Sequence, residues 1–105
     1  MESEMVKLIA IYSKPEDAAA FEAHYRNVHM PLAMKMPGLK KCELGWVRGS
    51  PGGEPRYHLV AELYFEDKAA LKAALMSPEG AAAAKDVMGF AGKLIHMMIA
   101  EVETV

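Results

Sequence analysis

The stretch RYHLVAELYFE, from Arg56 to Glu66, decides the fold because its side chains alternate strictly in character. One alternate set is wholly apolar and consists of Tyr57, Leu59, Ala61, Leu63 and Phe65. The other set mixes polar and apolar groups and consists of Arg56, His58, Val60, Glu62 and Tyr64. A period of two predicts a β-strand whose apolar face packs on a core, while Val60 and Tyr64 make the second face only partly polar.

Two helices and a last strand are predicted downstream of this strand. Asp67 suits the N-cap of the first helix, and Ser77-Pro78-Glu79 begin a separate short helix that ends at Gly89 and Gly92. The side chains expected to point inward from the first of these helices are Leu71, Ala74 and Leu75. The run KLIHMMIAEV, from Lys93 to Val102, predicts the final strand.

Two more strands are predicted upstream. A loop rich in glycine and proline, residues 49–55, separates the central strand from one predicted over Leu39–Arg48. The nearly continuous apolar run MVKLIAIY, from Met5 to Tyr12, is typical of a central strand that is covered on both faces.

The segment between these two strands has a helical pattern. Ser13 can cap the helix, and Pro15 suits its first position. At the helical period, the inward stripe is expected to consist of Phe21, Tyr25, Val28 and Leu32. Because Pro31 has no N–H for the carbonyl of Asn27, the helix is expected to stop or kink there.

The resulting order, β-α-β-β-α-β, predicts a single α+β domain of ferredoxin-like topology over residues 1–105. Four antiparallel strands form the sheet, and both helical units pack on one face. The last strand has apolar side chains on both of its faces, so a lone subunit would leave a large apolar patch in water. We therefore expect an isologous homodimer whose two sheets face each other as a dimeric α+β barrel.

Composition excludes several classes of protein. Twelve basic and 14 acidic residues are interspersed, with a net charge of −2, so no basic stripe indicates nucleic-acid binding. Apolar runs are too short for a membrane span, and the acidic segment Met1–Glu4 is unlike a secretory signal, which favours a cytoplasmic protein. Cys42 is the only cysteine and is interpreted as a packed, inert thiol. No spacing indicates a metal site, and we expect no cofactor.

The densest group of proton-transferring side chains is His24, Tyr25 and His29, just before Pro31. On an ideal helix, both histidines flank the inward stripe at the boundary between core and solvent. One interpretation is a proton shuttle at the mouth of a pocket, in which Tyr25 orients or shares the proton. The alternative is that each histidine caps a backbone carbonyl near the proline.

Other polar and aromatic side chains have two interpretations each. His58 shares a predicted face with Arg56 and Glu62, a row that suits either an anionic ligand or a polar contact across the dimer. His96 lies between Ile95 and Met97 and is interpreted as a hydrogen-bonded core histidine. A group of aromatic residues either lines a ligand pocket or packs in an ordinary core: Tyr12, Phe21, Trp46, Tyr57 and Phe65.

Residues 5–37 resemble the EthD family, named from ethyl tert-butyl ether degradation. The resemblance rests on the strand, the helix and the spacing between them, and on five residues: His24, Tyr25, His29, Pro31 and Leu32. It implies a homodimer of ferredoxin-like subunits, each with a small pocket between helices and sheet. Related barrels include cofactor-free isomerases, cyclases and decarboxylases, so the fold alone does not fix a reaction.

Two functions from different classes follow. In the first, His29, helped by Tyr25 and His24, moves a proton on a small hydrophobic or aromatic compound during isomerisation, cyclisation or decarboxylation. In the second, the chain is a non-catalytic accessory protein that binds such a compound in an oxidative pathway of ether or aromatic degradation. A purely structural dimer is a third option, which predicts no cavity large enough for a ligand.

Overall fold

The computed structural model describes residues 5–105, and its strands form one antiparallel sheet in the order β2-β3-β1-β4. The strands are β1 (Val6–Ser13), β2 (Lys41–Trp46), β3 (Tyr57–Phe65) and β4 (Ile95–Glu101). The predicted ferredoxin-like α+β fold is confirmed, although three of the strands are shorter than predicted. Residues 1–4, on which the targeting argument rests, lie outside the described residues.

The helices are α1 (Ala18–His24), α2 (Met30–Ala33), α3 (Lys68–Met76) and α4 (Pro78–Ala91), with a π-helical turn, Tyr25–His29, joining α1 to α2. The predicted cap of α3 is confirmed, because the side chain of Asp67 accepts a hydrogen bond from the backbone N–H of Ala70. A new helix begins at Pro78 as predicted, and Ser77 caps it by accepting from the backbone N–H of Gly80. The predicted cap of α1 is wrong. Ser13 ends β1, and Asp17 caps α1 instead.

The π turn corrects the predicted inward stripe. Within this turn the N–H of Met30 donates to the carbonyl of Tyr25, five residues back, so each residue rotates less about the axis than in an α-helix. Val28, which the ideal helix predicts to point inward, is therefore exposed, and His29, predicted at the boundary between core and solvent, is buried. The helix also continues past Pro31 to Ala33, because the wider turn accommodates a proline that cannot donate a hydrogen bond.

A β-bulge corrects the predicted faces of β3. Tyr12 pairs with Leu59 but Ser13 pairs with Tyr57, which leaves His58 as the extra residue. His58 turns to the helix side, where its Nε2 lies 2.9 Å from a carboxylate oxygen of Glu22, so it does not form a row with Arg56 and Glu62. Tyr57 turns to the opposite, open face of the sheet.

The core lies between the sheet and the helices, and its largest fully buried side chains are Tyr12, Tyr25, Phe65, Leu59 and Leu71. Leu71 and Ala74 point inward as predicted, whereas Leu75 is exposed at the edge of the sheet. His96 is exposed on the open face beside Tyr57, and the prediction of a core histidine is wrong.

Two glycines of α4 provide a matched test of packing. A Cβ at Gly80 would overlap the backbone carbonyl oxygen of Ala74, whereas a Cβ at Gly89 meets nothing within 4 Å. Gly80→Ala is expected to lower the free energy of unfolding by about 1–3 kcal/mol, because backbone has to shift. Gly89→Ala is expected to raise it by roughly 0.5–1 kcal/mol through helix propensity.

The measurement is urea denaturation of both variants and the wild type at one protein concentration. A Gly80→Ala protein as stable as the wild type would contradict the close approach of α3 to the start of α4.

Candidate functional site

Asp86 of α4 joins the two histidines of the first helical unit. Its Oδ2 lies 3.1 Å from Nδ1 of His29, and its Oδ1 lies 2.9 Å from Nε2 of His24. A carboxylate only accepts, so both imidazoles donate to it in this arrangement. Phe90, one turn further along α4, packs on both rings, with its centroid 4.2 Å from that of His24 and 5.7 Å from that of His29.

This group runs from the interior to the surface. The exposed fraction of the side chain is 9 % for His29, 16 % for Asp86 and 34 % for His24. His24 borders a shallow surface groove, while His29 borders an internal cavity. The shared carboxylate therefore connects an imidazole in the interior to one that water reaches.

The cavity has a volume of about 120 Å³ and lies between the sheet and the helices. An apolar cavity of about 150 Å³ is large enough to hold benzene, so this space suits a single-ring molecule. Most of its walls are apolar, with Leu8, Leu63, Ala83, Val87 and Ile95 among them. The polar side chains that line it are those of Tyr12, Tyr25 and His29.

His29 is oriented as a general base would be. Its Nδ1 meets Asp86, which leaves Nε2 as the ring atom for the cavity. A carboxylate that accepts from Nδ1–H selects the tautomer with its lone pair on Nε2. The arrangement can therefore take a proton from a molecule in the cavity, and Asp86 stabilises the charge that forms on the ring.

Burial sets the protonation of the polar groups at this end of the cavity. Burial holds the pKa of His29 below its ordinary value, against the opposing effect of the hydrogen bond to Asp86. Burial also raises the pKa of Tyr12 to about 12, with a smaller opposing effect from its hydrogen bond to Tyr25. The pKa of Tyr25 is raised as well, chiefly by burial. Near neutral pH the site thus presents a neutral imidazole beside two neutral phenols.

The site residues expected from the sequence are only partly brought together. Tyr12, Tyr25 and His29 line the cavity, and His24 lies behind Asp86 on its outer side. Four of the expected pocket aromatics do not border this cavity: Phe21, Trp46, Tyr57 and Phe65. The rings of Phe21 and Trp46 pack against Tyr25 and His58, and Tyr57 faces away because of the bulge.

Asp86 is the functional candidate that sequence reasoning missed. The signal available was a carboxylate in the alanine-rich run AAAAKDV, directly before the buried Val87. A charged group next to an inward position needs a partner, and the two histidines of another helix supply it.

Glu22 and His58 form a second paired group, on the other flank of α1. The side chain of Arg26 lies 3.2 Å from Glu22 and 4.4 Å from the ring centre of Trp46. Burial acts to raise the pKa of Glu22, but the hydrogen bonds from Arg26 and His58 outweigh it and hold the pKa below its usual range. This group joins α1 to the bulge in β3.

Within residues 5–105, no group of three or more histidine, cysteine or acidic side chains has the geometry to hold a metal ion. In the same part of the chain, no helix has the length and apolar character that a membrane crossing requires.

His29 predicts a pH dependence of stability. Unfolding returns its lowered pKa toward the ordinary value of 6.5, so below that pH the unfolded chain binds more protons than the folded one. The contribution of His29 to the free energy of unfolding is therefore expected to be complete above about pH 6.5. Below that pH, the free energy of unfolding is expected to fall as the pH approaches the folded-state pKa. His29→Gln should reduce this fall.

Urea denaturation at pH 7.5 and pH 5.5 measures the effect, with Lys72→Gln as the control because Lys72 is an exposed side chain of α3, away from the cavity and from the open face of the sheet. The other titratable groups near the site, Asp86 and His24, remain in both variants. An unchanged pH dependence in His29→Gln would contradict the lowered pKa.

Comparison with known proteins gives one family and close structural relatives. A family model described as the EthD domain matches residues 13–93. The chain is 39 % identical over 101 residues to an uncharacterised 11.0 kDa protein from the thcB-thcC intergenic region of Rhodococcus erythropolis, covering 96 % of this chain and 98 % of that one.

Solved structures agree. An ethyl tert-butyl ether degradation (EthD) family protein from Bacillus halodurans C-125 is 47 % identical with a TM-score of 0.92, covering 94 % of this chain and 99 % of that one. A dimeric ferredoxin-like protein of unknown function from Jannaschia sp. CCS1 is 22 % identical with a TM-score of 0.70, covering 93 % and 99 %. At that lower identity the likeness is one of fold.

Proposed function

The chain belongs to the EthD family, and on that premise we propose that it binds a small hydrophobic or aromatic compound in its cavity and moves a proton on it through His29. The reaction is of the isomerase, cyclase or decarboxylase type and needs no cofactor. The observation that carries the proposal is the pairing of Asp86 with Nδ1 of His29, which leaves Nε2 for a largely apolar cavity. A buried imidazole whose pKa is lowered is a neutral base at neutral pH.

The proposed step is a proton transfer. Nε2 of His29 removes a proton from an acidic C–H bond of the ligand, and the electron pair of that bond stays on the ligand as an enolate. Return of the proton to another atom completes an isomerisation. In a cyclisation the enolate attacks a carbonyl carbon of the same molecule, and the imidazolium of His29 then returns the proton to the alkoxide that forms. Asp86 accepts from Nδ1–H throughout, and His24 links the pair to solvent.

Deuterium exchange tests the proposal without knowledge of the physiological substrate. Metal-stripped protein in D₂O is expected to exchange the acidic C–H protons of cyclohexanone or acetophenone faster than free imidazole at the same concentration does. Proton NMR measures the rate. Exchange no faster than in the imidazole control would count against proton transfer at this site.

The alternative is a non-catalytic accessory protein that binds a hydrophobic intermediate of an ether or aromatic degradation pathway. Two observations favour it: most of the cavity wall is apolar, and the histidines and Asp86 already satisfy one another. Binding of a ketone without exchange would support this alternative.

We also propose a homodimer formed through the open face of the sheet, in the cytoplasm. Ile9, Ile11 and Val60 are only half-buried there, and Met98 is exposed. The description of the Jannaschia relative as dimeric supports a dimer. A chain with a single free cysteine is compatible with a reducing compartment.

A further inference from the structure

We propose that the cavity selects a compact, uncharged compound with one hydrogen-bond-accepting oxygen, such as a small cyclic ketone, and that the phenols of Tyr12 and Tyr25 hold that oxygen beside His29. This inference rests on the proposed function, because it names the substrate class of the same site. It follows from the charge, the size and the donors of the cavity.

Charge excludes ionised ligands, so the substrate class fits isomerisation and cyclisation but not the decarboxylation of a carboxylate. No lysine, arginine or acidic side chain of the described residues lines the cavity, so nothing there would compensate an anion for its lost hydration. The nearest charge is the carboxylate of Asp86, on the far side of His29, which would repel an anion. A cation in the cavity could not pair with that carboxylate directly, because the imidazole of His29 lies between them and already occupies the carboxylate.

Size and access exclude large ring systems. A volume of about 120 Å³ is somewhat below the roughly 150 Å³ of an apolar cavity that holds benzene, so it limits the ligand to a single small ring and excludes fused polycyclic compounds. The exposed side chains of Leu75, Met88 and Met97 line the outer part of the cavity, so a ligand passes an apolar mouth. The flexible methionines can adapt to the shape of the molecule that passes.

The donors select for an acceptor oxygen. The rings of Tyr12 and Tyr25 lie edge to face with centroids 5.5 Å apart, and both side chains line the cavity. Each phenol carries one hydroxyl hydrogen, and even where one hydroxyl donates to the other, the second hydrogen is left for a ligand. A carbonyl oxygen accepts that hydrogen, and the carbon next to the carbonyl then lies toward the imidazole, since His29 packs on Tyr25 with ring centroids 5.1 Å apart.

The test compares three ligands of the same ring size by amide NMR titration at pH 7.5. Cyclohexanone has the acceptor oxygen, methylenecyclohexane has the same shape without it, and cyclohexanecarboxylate has a charge. Cyclohexanone and methylenecyclohexane are expected to shift the resonances of the cavity residues, and the carboxylate is expected to bind at least tenfold more weakly than cyclohexanone.

The decisive variant is Tyr12→Phe with Tyr25→Phe, which keeps both rings and removes both hydroxyls. Its affinity for cyclohexanone is expected to fall roughly two- to tenfold, the effect of one lost hydrogen bond, while its affinity for methylenecyclohexane stays the same or rises. Tyr57→Phe is the matched control, because Tyr57 is on the open face of the sheet. The amide spectrum reports whether each variant is folded.

Equal loss of affinity for both neutral ligands, tight binding of the carboxylate, or no binding of cyclohexanone to the wild type would overturn the inference. Cyclohexanone that binds through the phenols but exchanges no deuterium would overturn the proposed proton transfer and leave the inference standing. Exchange that does not depend on the phenols would overturn the inference and leave the proposed proton transfer standing.

Discussion

Replacement of His29 with glutamine is expected to slow the deuterium exchange of a bound ketone by roughly 10²- to 10⁴-fold, the usual contribution of a well-placed general base. Glutamine has a similar size and can still donate a hydrogen bond to Asp86, but its amide has no basic nitrogen for a ligand. Binding of cyclohexanone is expected to change little, since the apolar walls and the phenols remain.

The control is His96→Gln, which removes an exposed imidazole on the open face and is expected to leave exchange unchanged. Asp86→Asn provides a second arm, because an amide partner no longer selects the tautomer with the lone pair on Nε2. The Asp86→Asn protein should also exchange deuterium more slowly than the wild type, while it still binds the ketone. A His29→Gln protein that exchanges as fast as the wild type removes His29 from the mechanism.

Ile11→Glu is expected to convert the proposed dimer into a monomer, which light scattering measures as a halving of the mass. Ile11 lies in the central strand β1 and pairs with Val60 of β3 on one side and His96 of β4 on the other. A carboxylate at the middle of a paired apolar face would lose its hydration without a partner, a cost that exceeds what the surrounding contacts supply.

Ala19→Glu is the matched control, because it adds the same charge at an exposed position of α1. The sheet and helices should persist in both variants, as circular dichroism reports, since Ile11 is outside the core. A wild-type protein with the mass of one chain, or an Ile11→Glu protein that stays dimeric, would contradict an interface on the open face.

The sequence predicts the order of the elements and most of the core because these depend on local periodicity. The strict alternation in β3 and the capping residues Asp67 and Ser77 are local signals, because each depends only on residues that are close together in the sequence. Leu59 and Phe65 are buried as their alternation requires.

The features that sequence reasoning missed depend on backbone irregularity or on distant contacts. The π turn adds one residue to a helical turn, and the bulge adds one residue to a strand. A sequence pattern that assumes an ideal helix or strand cannot show at which position the extra residue lies. His29 therefore moved into the core and His58 moved to the helix side. Asp86 is 57 positions from His29 along the chain, and only the packing of α4 against the π turn brings the two together.

The π turn also determines how the chain tolerates a change of length. Deleting one residue between Tyr25 and His29 would restore a regular α-helix and leave the residues after it in their present orientation, because the π turn already accommodates one extra residue. Ala33 and Met36 would still line the cavity. A single-codon deletion at this point would thus change the cavity wall only at the turn itself, without disturbing the scaffold beneath it.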